Sequence, residues 1–171
     1  MIDKKILMDI LNAREERAMK QKRLIKKYNN SLISFTLNIP GALKDSPLYR
    51  DLHNEGMNTI LDGLKEHSIP ILHKEQIHKS TGSEGFIIAD IDAKELKILT
   101  VDIEEHHSLG RIFDMDIFDF SHNQISRTDL DLSPRKCLIC DKEVRRCMRE
   151  KNHGYKELIA KIEDMGDEFL R

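Results

Sequence analysis

Arg111-Ile112-Phe113-Asp114-Met115-Asp116-Ile117-Phe118-Asp119 is the stretch on which the reading of this chain turns. Acidic and apolar residues alternate through it, the pattern of a strand with one buried face. Side chains two apart on a strand point to the same face, so Asp114 and Asp116 aim side by side. Two carboxylates that close repel unless a cation or a proton intervenes. Mg2+ takes oxygen ligands, commonly one or two carboxylates together with substrate phosphates. Arg111, at the head of the same strand, is placed to grip a phosphate. The nine residues predict a phosphoryl- or nucleotidyl-transfer site; alone, the same alternation also describes an ordinary amphipathic edge strand.

Just upstream, Glu104, His106 and His107 precede Gly110 and would meet the aspartates if the loop folds back. Asp92-Ala93-Lys94-Glu95 is a capping arrangement, and Leu96, Leu99 and Ile103 supply the apolar stripe of a helix that Gly110 stops. A strand from Leu96 to Ile103 is the rival, since Ile98, Thr100 and Val101 favour sheets. Before that lies a strand from Gly85 to Ile91, entered through Thr81-Gly82-Ser83-Glu84. This loop would suit a phosphate cradle or an ordinary turn. At the amino end residues 3–28 read as a helix with Leu7, Leu11, Arg14 and Ala18 on its inner stripe, where Arg14 would snorkel. A strand over 31–38 follows. Ser46 then caps a second helix with Pro47 at its first position and Leu48, Leu52, Ile60 and Leu64 inside. Downstream, Ser121-His122-Asn123-Gln124 turns into a short strand, Ile125 to Arg127, and Leu158 to Phe169 forms a closing helix. His73 and His78 read as surface residues. The expectation is an α+β fold, one compact domain over 1–171 with a mixed sheet flanked by helices.

With 171 residues, 39% of them apolar and 34% charged, and no Trp, the composition is that of a globular chain with a sizeable core. Its apolar runs are too short to cross a bilayer, and the charged amino end shows no secretory signal. Three cysteines suit a reducing compartment, so a cytoplasmic address is expected. Charge is unevenly spread: nine Lys/Arg against four acids in residues 1–28, seven against three in 134–153, and nine against eighteen between them. Basic ends around an acidic middle suit a compact phosphorylated ligand. No basic stripe interleaved with aromatics points to nucleic acid.

All three cysteines fall within eleven residues: Cys137-Leu138-Ile139-Cys140, then Cys147, with His153 close behind. Thiolates and imidazoles hold Zn2+, and a Cys-x-x-Cys turn lets both sulfurs reach one tetrahedral ion; reduced, packed cysteines are the bland alternative. Arg135, Lys136, Arg145, Arg146 and Arg149 surround the cluster and would serve phosphates. No nucleophile elbow, zinc-protease helix or dinucleotide fingerprint is present.

The run His107-Ser108-Leu109-Gly110-Arg111-Ile112-Phe113-Asp114-Met115-Asp116 resembles the signature region of the apo-citrate lyase phosphoribosyl-dephospho-CoA transferases, the citrate lyase holo-acyl-carrier-protein synthases. Similarity extends through Arg14-Glu15-Glu16-Arg17, through Leu32 to Gly41 with Lys44-Asp45-Ser46, and through Ser133-Pro134-Arg135-Lys136-Cys137 to Cys140, Cys147, Arg149 and His153. Ser108 stands where the family often has proline, and Phe113 where tryptophan also occurs. The resemblance implies a cytoplasmic nucleotidyltransferase with a nucleotidyltransferase-like fold. Its reaction would move the prosthetic group of 2′-(5″-triphosphoribosyl)-3′-dephospho-CoA to a serine of the citrate lyase acyl carrier (gamma) subunit, releasing diphosphate. Asp114 and Asp116 would hold Mg2+, Arg111 would neutralise the leaving group, and Glu104 or His107 would be the base. Arg14, Arg17, Lys44, Arg135 and Arg149 would bind the donor. Transfer to another lyase or decarboxylase carrier protein, and a zinc-stabilised module docking an acidic partner through residues 134–153, are the alternatives.

Overall fold

Strand β1 (Ser31–Leu37) is buried continuously from Ser31 to Phe35, as a strand must be when both faces of its sheet are covered. In the computed structural model, which describes residues 4–171, β1 is the centre of five strands in the order β2–β3–β1–β4–β5. The others are β2 (Ile71–Ile77), β3 (Glu84–Ala89), β4 (Phe113–Phe118) and β5 (Gln124–Ile125). Every neighbouring pair is antiparallel, which corrects the expected mixed sheet while the α+β class stands. The reason is topological. Helix α2 (Pro47–Glu66) carries the chain from β1 to β2, and α3 (Ala93–His106) from β3 to β4. Each crossover returns to a parallel strand, but an antiparallel strand lies between the partners, as in a split β-α-β arrangement.

Alternation along the strands divides the core. Ile33, Phe35, Ile87, Met115 and Ile117 face Leu52, Ile60 and Leu64 of α2 and Leu96 of α3. On the other face Leu32, Phe86, Ile88 and Phe118 meet Leu24 and Ile25 of helix α1 (Lys4–Tyr28). Helix α5 (Tyr155–Phe169) packs on α2, contributing Ile162 to the first core. Gly56 lets α2 lie directly on the sheet: a Cβ there would come 2.3 Å from the Phe35 ring, which itself meets Phe113 edge-on at 5.5 Å.

Local signals explain most boundaries. Ser46 accepts from the Tyr49 amide and Pro47 opens α2; Asp92 accepts from Lys94 and Glu95 and opens α3, which settles that segment as helix. At Gly110 a Cβ would stand 2.3 Å from the Glu104 carbonyl oxygen, so only glycine lets the chain fold this closely against the end of α3. Here the structure also departs from expectation. Residues Gly110–Ile112 form a 3-10 turn and the strand begins at Phe113, so Arg111 is not on it.

Three further corrections concern packing. The expected inner stripe of α1 is wrong in its first half: Leu7 and Leu11 are exposed, and burial is concentrated at Gln21, Leu24 and Ile25. Position 3 of that expected helix lies outside the described residues. Strand β2 was not expected; its charged, largely exposed pattern through His73, Lys74 and Glu75 is that of a protected sheet edge. Helix α4 (Val144–Glu150), also unforeseen, buries only Cys147. Among the described residues no helix is long and apolar enough to cross a membrane.

Candidate phosphate and metal site

On β4 the residues facing the α1 side are the even-numbered ones, and register pairs Asp114 with Thr36 and Asp116 with Ser34. The two aspartates therefore share a face, as the alternation predicts. Asp116 is half-buried and accepts from Gln124 Nε2 at 2.7 Å. Burial, and then the charge of Asp114, push its carboxyl up to about 6. Lys97 and Arg17 pull the other way.

Asp114 lines two cavities at once. The first, about 140 Å³, runs between α1 and the ends of β1 and β3, and is lined by Arg14, Arg17, Thr36, Asn38, Lys44 and the loop Thr81 to Glu84. The sequence-predicted cations Arg14, Arg17 and Lys44 are thus brought to one aspartate. Burial, then the charge of Arg14, lowers the Lys44 ammonium below its ordinary range; its Nζ donates to the Ile39 carbonyl. Buried Glu84 holds Lys79 at 3.1 Å and Arg17 at 3.7 Å, fixing the α1 cation against the floor of the cleft. In the same wall the buried Ser83 hydroxyl sits 2.7 Å from His78 Nδ1.

The second cavity, about 250 Å³, holds both aspartates with Lys97, Glu104, Arg127, Arg135 and Arg145. It lies along the outer edge of β4, which β5 pairs only at Ile117 and Phe118. Side chains cap the rest of that edge. Arg135 donates to Asp114 Oδ1 at 3.2 Å, to the Arg111 carbonyl at 3.2 Å, and to the Phe113 carbonyl. Glu104 accepts from the Met115 amide at 3.4 Å and from Arg127 at 2.7 Å. Lys97 Nζ donates to the Met115 carbonyl at 3.2 Å.

These contacts rearrange several expected roles. Arg111 points away from the aspartates; it donates to the Cys137 carbonyl at 2.8 Å and stands 3.6 Å from Asp141. Arg135, expected among the donor-binding cations, is the arginine that stands beside Asp114. Glu104 does fold back to the aspartates, but its carboxylate is committed to Arg127 and a backbone amide. His107 lies on the opposite face of the sheet, stacked on Phe113 with centroids 5.1 Å apart and 3.6 Å from Glu55. His106 is exposed beside Asp102, and Arg149 is exposed on α4. The reading missed Lys97, Arg127 and the Ser83–His78 pair; the Gly/Ser loop at 81–85 was the one signal for the last.

A Cys/His cluster lies behind Arg111. The ligand atoms of Cys137, Cys140, Cys147 and His153 all fall within 4.8 Å of one another, with Sγ–Sγ separations of 3.4 Å for Cys137–Cys147 and 3.9 Å for Cys140–Cys147. Bonds of about 2.3 Å to one tetrahedral ion place sulfurs about 3.8 Å apart. His153 Nε2 is buried without a hydrogen-bond partner, while Nδ1 lies 3.4 Å from Glu157, the arrangement of a ligating histidine oriented by a carboxylate. The four residues form a group that could hold a metal ion.

A family model described as apo-citrate lyase phosphoribosyl-dephospho-CoA transferase matches residues 5–169. The chain is 31% identical over 155 residues to the apo-citrate lyase phosphoribosyl-dephospho-CoA transferase of Citrobacter koseri, covering 91% of this chain and 85% of that protein. The protein of that name from Escherichia coli O7:K1 gives the same identity and coverage. Protein CitXG of Haemophilus influenzae is 35% identical over 156 residues, but the chain spans only 34% of its length. On these matches, the chain belongs to the apo-citrate lyase phosphoribosyl-dephospho-CoA transferase family.

Proposed function

We propose that this protein transfers the phosphoribosyl-dephospho-CoA group from 2′-(5″-triphosphoribosyl)-3′-dephospho-CoA to a serine hydroxyl of the acyl carrier (gamma) subunit of apo-citrate lyase. A bond forms between the serine oxygen and the phosphorus attached to the ribose, giving a phosphodiester, and the bond to diphosphate breaks. The observation that carries this reading is the placement of Asp114, with Asp116 on the same face, in the wall of a cleft lined by Arg14, Arg17 and Lys44.

Those three cations suit the triphosphate, whose charge moves onto the departing diphosphate in the transition state. Two hard carboxylate oxygens on one strand face suit Mg2+, which would supply Lewis-acid stabilisation of the reacting phosphate. Arg135 orients Asp114 from the other side. Ser83 and His78 are the pair best placed to accept the serine proton: the Ser83 hydroxyl takes it as its own proton passes to His78 Nδ1, within ordinary hydrogen-bond reach. Glu104 acts through Arg127, keeping the β4 edge in place. The Cys3His donor set suits one structural Zn2+ per chain.

Incubating the protein with apo-carrier subunit, Mg2+ and the triphosphoribosyl donor, then measuring the intact mass of the carrier, tests the proposal. A carrier heavier by the donor less diphosphate supports it; a carrier unchanged in mass rejects it.

A further inference from the structure

The Cys/His knuckle is joined to the aspartate site through its own stem. Arg135 and Val144 close the hairpin around it, the Val144 amide donating to the Arg135 carbonyl at 2.8 Å. Inside, Lys136 bridges Glu143 and the Cys137 amide donates to the Lys142 carbonyl at 2.8 Å. From that stem the Arg135 side chain reaches Asp114 Oδ1 and the carbonyls of Arg111 and Phe113. A return tie runs from Arg111 to the Cys137 carbonyl.

Little apolar burial holds this segment. Helix α4 has seven residues and buries Cys147 alone, and helices below about 12 residues are marginal unless packing supports them. The side chains it buries are Cys137 and Cys147, with Cys140 partly buried, Leu138 partly buried against the main core, and a histidine whose Nε2 is buried without a hydrogen-bond partner. Metal bound by such a group contributes its affinity as folding free energy of the segment.

We propose that the knuckle holds one Zn2+ and that this ion acts on the transfer site from a distance, by keeping Arg135 seated against Asp114 and the open edge of β4. Arg135 is the positioning residue and the metal is its anchor. The inference rests on the reading of Asp114 as part of the transfer site, but metal content and backbone exchange test it without any turnover.

Full-length protein purified without a tag should carry about one Zn2+ per chain, and Co2+ in its place should give thiolate charge-transfer bands and tetrahedral absorption. Cys147→Ala and His153→Ala should lose the ion, and His153→Cys, which keeps four ligands, should retain both ion and activity. In zinc-free protein, amides of residues 113–116 should exchange about tenfold faster and kcat should fall about tenfold. Zinc-loaded Arg135→Ala should show the same two changes, and Arg135→Ala combined with Cys147→Ala should be no worse than either alone, because both break one linkage. Wild type without zinc overturns the metal site. Additive losses, or unchanged exchange on zinc removal, overturn the positioning role. Faster exchange spread equally across β1 and β3 also overturns it, since that would mark general unfolding. If zinc-loaded wild type transfers nothing, the assigned reaction fails while stoichiometry and exchange still decide this inference.

Discussion

Asp116 carries its charge at a cost, since burial and the neighbouring Asp114 push its carboxyl up to about 6. Its folded value is raised above the unfolded one of about 4. The stabilising contribution is therefore whole below about pH 4 and is lost as pH rises through about 6. Asp116→Asn should then be more stable than wild type at pH 7.5, by about 1–2 kcal/mol after discounting for partial solvation, and equal to it near pH 3.5. Thermal melts at the two pH values check this. The same variant, like Asp114→Asn, should lower transfer at least about a hundredfold, because each removes a charge the transition state needs. A gain in stability with a loss of activity marks a functional residue. His78→Gln should cut kcat by about a hundredfold with little change in donor KM, whereas a residue needed only for packing would lower the melting temperature instead.

Elements, rather than single residues, decide which cations reach the aspartates. Alternation along 113–118 was legible in the sequence because a strand's two-residue period is local. So were α2 and α3, through Ser46-Pro47 and the Asp92 cap. Arg111 was misplaced because the chain enters β4 through a 3-10 turn at Gly110–Ile112, which takes it off the strand; Gly110 sits there where a Cβ would strike the Glu104 carbonyl oxygen. Arg135 reaches Asp114 through a fold-back of more than twenty residues that no local pattern encodes. The open edge of β4 created the demand for it, and for the buried Glu104–Arg127 pair, whose side chains are 4% and 12% exposed. Removing one partner of such a pair leaves a buried charge uncompensated, so Arg127→Ala should destabilise by about 3 kcal/mol, read as a drop of roughly 10 °C in Tm. Glu104→Gln in that background should recover part of the loss.

Across the whole molecule, the charge segregation seen along the chain becomes a spatial arrangement. The basic amino-terminal segment supplies Arg14 and Arg17 on one side of Asp114, and the basic segment 134–153 supplies Arg135 and Arg145 on the other. A polyanion entering between them is drawn by both, so donor KM should rise several-fold between about 50 and 300 mM salt while kcat changes little. The central claim is that Asp114 and Asp116 make this cleft a site of group transfer to apo-citrate lyase. Its most direct measurement is the intact mass of the carrier subunit after incubation with donor and Mg2+, run in parallel for wild type and Asp114→Asn. The account predicts a carrier heavier by the donor less diphosphate with wild type and an essentially unmodified carrier with the variant. Equal modification by both proteins would contradict it.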